Sequence, residues 1–285
     1  MSQAESSRFK STIIDAEWTA APLPAEDEAR RVRVTRAIMV NGPKPSPTSL
    51  ALRPATPIHA IIQHSRPSPV VVLEEVGLPA SLDPRLVVLR EPSSSQARSY
   101  RLLHHRLIAR SDPRVIAVTS ARPGEGKTTC AANLALALSD ETFARVLLVE
   151  ANVPRPGLAC LFGFEPADSF ISRLVQHQDA SPPYWVTAIR GTRLHVAALH
   201  PGEARDKRLD RMLLDMALRE LRHAYDYIVI DAAAVLESAD ADVAGECADG
   251  VIVTARASKS RKSWLRSAIN QLSPATVLGV VLLDT

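Results

Sequence analysis

The 285-residue sequence lacks the features of a secreted, fibrous or membrane-spanning chain. Its three cysteines, Cys130, Cys160 and Cys247, are too scattered for a disulfide frame, and residues 1–20 show no charged start followed by an apolar stretch. A reducing, cytoplasmic setting is therefore expected. Apolar runs such as Val277–Leu283 fall far short of the roughly 18–20 residues that span a bilayer, so membrane attachment is expected only through a partner. Aromatic residues are 4% of the chain, which leaves Ala, Val and Leu to fill the core. Charge is nearly balanced, 34 Lys+Arg against 31 Asp+Glu, too small an excess to argue for nucleic acid as a partner. The histidines show no metal-ligand spacing, and zinc is not expected.

Proline and glycine divide what is present. Residues 1–95 hold 12 of the 21 prolines and only 2 of the 11 glycines. That composition predicts a Pro-rich, largely disordered arm over 1–84 and a single domain over 85–285. Two apolar runs, Val70–Leu73 and Leu86–Leu89, read as docked strands or binding segments.

From about Ser99 onward, buried-type strands alternate with helices, the pattern of an α/β fold with a mostly parallel sheet covered by helices on both faces. Strands are expected at Val115–Thr119, Val146–Glu150, Leu194–Ala198, Tyr227–Asp231, Gly250–Ala255 and Val277–Leu282. Helices are expected at Ser99–Ile108, Lys127–Leu138, Leu209–His223, Asp240–Cys247 and Lys259–Leu272.

The segment VIAVTSARPGEGKTTCAANLALALS, residues 115–139, carries the chemistry. A buried strand enters a glycine-containing loop and then an Ala- and Leu-rich helix, the P-loop NTPase arrangement in which turning amides and a helix N-terminus cradle phosphates. Arg122, Pro123, Gly124, Glu125, Gly126, Lys127, Thr128 and Thr129 form the candidate nucleotide loop. Lys127 reaches the terminal phosphates and Thr128 offers a hydroxyl to Mg²⁺. Ala121 stands where the strict pattern has glycine, and Thr129 replaces the third glycine of a dinucleotide fingerprint. Downstream, YDYIVIDAAAVLESADAD places Asp231 at the end of an apolar strand, where an acid either holds a magnesium-bound water or caps a helix.

These segments, with LDPRLVVLREP, SYRLLHHRL, RVLLVEANVPRPGLACLFGF and ADGVIVTARASKSRKS in the same order, resemble the bacterial tyrosine kinases of capsular and exopolysaccharide synthesis, relatives of the ParA/MinD class of ATPases. The resemblance covers roughly residues 85–285. It implies a cytoplasmic kinase domain using ATP and Mg²⁺, peripheral at the inner face of the cell membrane and acting with a transmembrane chain-length adaptor that is a separate polypeptide. It also implies catalytic roles for Lys127, Glu150 and Asp231, and a metal site of Thr128, Glu150 and Asp231.

Several positions depart from the family pattern. Glu150-Ala151-Asn152 replaces Asp-x-Asp, and Pro154 replaces an arginine while Arg155 and Pro156 remain. Arg98, Arg101 and His104 stand at the spacing of a Glu-x-x-Arg-x-x-Arg self-association motif, with the first charge reversed, so the patch reads either as a solvated basic helix face or as a changed interface of a homo-oligomer other than the usual ring. No tyrosine cluster follows the last strand, and Leu283 falls where the family tends to have an asparagine beside the adenine. Weak kinase activity is the expectation. The alternatives are a degenerate nucleotide-gated switch and a partition-type ATPase, the latter with Arg122 in place of that group's signature lysine. The basic segment Ala255–Arg266 reads as a solvated helix face or as a docking site for an acidic tail, anionic lipid or DNA backbone.

Overall fold

The structure is a computed structural model that describes residues 10–13, 70–79, 82–141, 144–180, 183–200, 208–257 and 259–284. Most of the arm expected over 1–84 lies outside the described residues.

Seventeen elements follow in chain order: β1 (Lys10–Ile13), β2 (Val70–Val76), α1 (Val87–Arg90), α2 (Ser95–Arg110), β3 (Val115–Ser120), α3 (Lys127–Glu141), β4 (Val146–Ala151), α4 (Leu158–Phe162), α5 (Phe170–Ala180), β5 (Tyr184–Ile189), β6 (Leu194–Ala197), α6 (Arg211–Leu221), β7 (Tyr227–Ala234), α7 (Asp240–Cys247), β8 (Gly250–Arg256), α8 (Lys262–Gln271) and β9 (Val277–Asp284). One sheet runs in the order β1-β9-β8-β3-β7-β4-β6-β5-β2. Its six central strands, β9 to β6, are parallel. β1 joins antiparallel to β9, β5 joins antiparallel to β6, and β2 joins parallel to β5.

The continuous apolar runs of the central strands are explained by burial on both faces. Alternate residues feed opposite cores: Ile116, Val118, Val146, Leu148 and Val229 meet α1 to α4, and Val115, Ala117, Leu147, Val149, Ile228 and Ile230 meet α5 to α8. Helix α3 is buried nearly all round, with Cys130, Ala131, Ala132, Leu134, Ala135, Leu136, Ala137 and Leu138 at 1% exposure or less. That explains its lack of a polar stripe and the burial of Cys130, whose thiol is pushed up to about 12 by desolvation and is inert packing.

The chain leaves β3 through α3 for β4 on one side, and returns from β7 through α7 to β8 on the other. β3 therefore sits at a topological switch point, where open α/β sheets place ligands beyond the strand C-termini. The phosphate loop occupies that crevice.

Val70–Leu73 lies in β2, an edge strand of the same sheet, which is the docked-strand reading of that run. Three expectations need correcting. Leu86–Leu89 is no strand; it lies at α1, where Asn133 Oδ1 on α3 accepts the Val88 N–H at 3.0 Å and Asn133 Nδ2 donates to Arg85 O at 2.7 Å. Helix α8 begins at Lys262 rather than Lys259, because Ser260 is tied to Arg256, its hydroxyl accepting the Arg256 N–H at 2.8 Å and its own N–H donating to Arg256 O at 2.9 Å. The Arg98, Arg101 and His104 stripe is not one solvated face: Arg101 binds Asp140 at 3.1 Å and Pro92 O at 2.6 Å, and His104 is 1% exposed.

Candidate nucleotide site

Gly124 and Gly126 adopt φ of 79° and 85°, left-handed values that a side chain resists, and these let the loop turn its amides inward between β3 and α3. A β-carbon at Gly126 would also press on Leu283 Cδ1 of β9, so that side chain would have to move. Leu283 thus packs against the phosphate loop itself.

The loop is braced from inside and outside. Ser120 Oγ donates to Arg122 O at 2.8 Å, and the Arg122 N–H donates to Glu125 Oε2 at 2.8 Å. The other Glu125 oxygen takes the Ser260 hydroxyl, and Arg256 Nη1 donates to Gly124 O at 3.3 Å. Glu125 is 4% exposed, so its charge is held by these donors rather than by water. The Arg122 side chain lies 5.1 Å from the Trp264 ring centre and 3.8 Å from Glu237, which Arg155 approaches at 3.9 Å from the turn after β4.

Lys127 and Thr128 open α3 beside Asp231 on the neighbouring strand β7. Lys127 is 8% exposed and Asp231 0%. Neither oxygen of Asp231 has a well-formed hydrogen-bond partner among the described residues. Burial pushes its carboxyl up to about 6, against the opposing pull of the Lys127 ammonium and the Thr128 hydroxyl. A buried carboxylate with two unsatisfied oxygens beside a hydroxyl is the donor set that suits a hard divalent cation or its water. Thr128 and Asp231 therefore fit Mg²⁺.

Glu150 is placed differently from its expected role. It pairs in register with Asp231 across β4 and β7, yet its oxygens are occupied. Oε1 accepts the Gly157 and Leu158 N–H groups, the latter at 2.8 Å, and Oε2 accepts the Leu199 N–H at 2.9 Å. Burial still pushes its carboxyl up to about 7, opposed by those three amides and reinforced by the charge of Asp231. Asn152 turns inward too, donating to Arg155 O at 2.5 Å.

Sequence reasoning missed three contributors. Asn133 is an amide in the otherwise apolar stretch Cys130–Leu138, and that anomaly was the available signal. Ser260 and Glu237 carried none, since their partners in the loop lie more than a hundred residues away in sequence.

No protein-family model matches the chain. It is 30% identical over 208 residues to the succinoglycan biosynthesis transport protein ExoP of Rhizobium meliloti, an overlap of 70% of this chain and 26% of ExoP. It is 28% identical over 206 residues to the tyrosine-protein kinase YwqD of Bacillus subtilis, an overlap of 69% of this chain and 84% of YwqD. The chain is a homologue of the bacterial tyrosine kinases. The kinase domain of VpsO has the same fold, with a TM-score of 0.55 at 26% identity over 68% of this chain and 95% of that domain. This homologue thus spans about a quarter of ExoP and most of YwqD. No helix among its described residues is long and apolar enough to cross a membrane.

Proposed function

We propose that the protein is an ATP- and Mg²⁺-dependent protein-tyrosine kinase of capsule or exopolysaccharide production, working in the cytoplasm with a transmembrane chain-length adaptor. The carrying observation is Asp231, buried and unsatisfied beside Lys127 and Thr128 at the mouth of the phosphate loop. The names and extent of the relatives support the reaction class, since the overlap takes in 84% of the tyrosine-protein kinase YwqD.

Phosphoryl transfer is largely positioning and electrostatics. In this reading the amides of residues 124–128 bind the phosphate oxygens, and Lys127 stabilises charge on the group in transfer. Thr128 and Asp231 hold Mg²⁺, which when bound neutralises phosphate charge. Glu150 serves as a brace that fixes the turn after β4 and the loop after β6, and thereby the position of Arg155, rather than as base or metal ligand. Leu283 presents no hydrogen-bonding group, so base selection is loose.

A second reading is a nucleotide-gated binding switch without phosphotransfer. The engagement of Glu150 and Asn152 by backbone favours it, because both acidic positions of the family motif are withdrawn from the loop. Phosphotyrosine formation with Mg-ATP and a candidate adaptor tail, read by mass spectrometry, separates the two. Signal that disappears in Lys127→Ala establishes the kinase; Mg-ATP binding without phosphotyrosine establishes the switch.

A further inference from the structure

The four tyrosines of the 285 residues are all built into the fold. Tyr100, Tyr184 and Tyr225 are 3%, 1% and 3% exposed. The Tyr225 hydroxyl meets His195 Nδ1 at 2.8 Å. Tyr227 is half-buried, donates to Asp112 Oδ1 at 3.1 Å and opens β7, at the end of the strand remote from the loop that follows β3. A tyrosine kinase with this site takes its acceptor from outside these residues.

The surface beside the phosphate loop has a distinct charge. Between Asp249 and Asp284 there is no acidic residue and there are five basic ones. Lys259, Arg261 and Lys262 are exposed and make no ion pair with any described residue, unlike Arg85, Arg101, Arg145, Arg173, Arg219 and Arg222, each of which meets an aspartate. Cations left unpaired on a chain with 31 acidic residues are available to an acidic ligand. This strip is attached to the loop, since Ser260 donates to Glu125, Arg256 donates to Gly124 O, and Arg261 and Arg122 lie 4.9 and 5.1 Å from the centre of the same Trp264 ring.

We infer that the acceptor is an acidic, tyrosine-bearing segment of a partner polypeptide, seated on the basic lip formed by Lys259, Arg261 and Lys262 beside the phosphate loop. The inference rests on the kinase reading and names its substrate class. Charge complementarity sets the occupant: an acidic segment gains from three unpaired cations, and a basic one is repelled. In the transfer the bond from the γ-phosphorus to the bridging oxygen of ADP breaks, a bond to the tyrosine oxygen forms, and the phenolic proton is released.

The test compares poly(Glu,Tyr) with poly(Lys,Tyr) as acceptors for Mg-ATP, using the full chain and the double variant Lys259→Glu/Lys262→Glu. The expected result is a KM about tenfold lower for the acidic polymer, a preference lost or reversed in the variant, with the change falling on acceptor KM. Equal KM values for the two polymers, an unchanged preference in the variant, or phosphate found on this chain's own tyrosines would overturn it. Without transfer to any acceptor the kinase reading falls, and fluorescence anisotropy of labelled poly(Glu,Tyr) then decides the surface by itself. Binding that the variant loses keeps the docking lip, whereas no binding, or binding only to anionic vesicles, overturns it.

Discussion

Glu150 and Asp231 are register partners on adjacent parallel strands, but only Asp231 is left unsatisfied at the phosphate loop. Glu150 spends both oxygens on the amides of Gly157, Leu158 and Leu199. The extra methylene relative to aspartate is what lets one carboxylate span two loops. Two acids that look equivalent in sequence thus sit in different surroundings, one carboxylate held by the amides of two loops and the other buried without such partners among the described residues.

Glu150→Asp is expected to destabilise the fold and to leave kinase activity no higher, even when combined with Asn152→Asp. The shorter side chain cannot satisfy all three amides, and an unsatisfied buried N–H costs about 1–3 kcal/mol. Urea unfolding at constant m-value checks the stability, and phosphotransfer by the double variant checks the activity.

Asp231→Asn is expected to stabilise the nucleotide-free protein at neutral pH. The folded-state pKa is raised to about 6, so the native state holds this proton more tightly than the unfolded chain does. Stability from this group is complete below the unfolded value of about 4 and is lost as pH rises through the folded one. At about 1.4 kcal/mol per unit, the loss is on the order of 2–3 kcal/mol. Glu150, raised to about 7, slopes the same way. Thermal melts from pH 4.5 to 8 should show a shallower fall in the variant, with a higher Tm at the alkaline end.

Ser260→Ala is expected to loosen the phosphate loop by removing the hydroxyl that Glu125 accepts. Nucleotide affinity should fall about three- to tenfold, the equivalent of up to about 1.4 kcal/mol. Ser260→Thr, which keeps the hydroxyl, should recover most of it. Titration with a fluorescent ADP analogue measures both.

Asn133→Leu is expected to cost about 2–3 kcal/mol and to release α1 first. The substitution strands the Val88 N–H and the Arg85 carbonyl, which have Asn133 as partner at 3.0 and 2.7 Å. Hydrogen exchange over residues 85–91 should accelerate more than exchange in β3.

The parts of the site that are legible in the sequence are those written locally. Lys127 and Thr128 follow a β-rich run and two glycines within one continuous segment, and Asp231 ends the apolar half of a strand. Glu150 was legible as an acid at a strand end but not as a brace, since its partners stand seven, eight and 49 residues away and are backbone groups without sequence identity. Tyr184–Ile189 went unread as a strand because it mixes aromatic, polar and apolar residues and pairs antiparallel with β6, outside the six parallel central strands. Ser260 and Glu125 meet across 135 residues, a contact fixed by the β3–β8 pairing rather than by any local pattern.

The most direct test of the account is isothermal titration of ATP with and without Mg²⁺, for the unaltered protein and for Asp231→Asn. The account predicts binding that Mg²⁺ strengthens by at least about tenfold, a gain that Asp231→Asn abolishes while Mg²⁺-free binding persists. Equal Mg²⁺ dependence in the two proteins would contradict it.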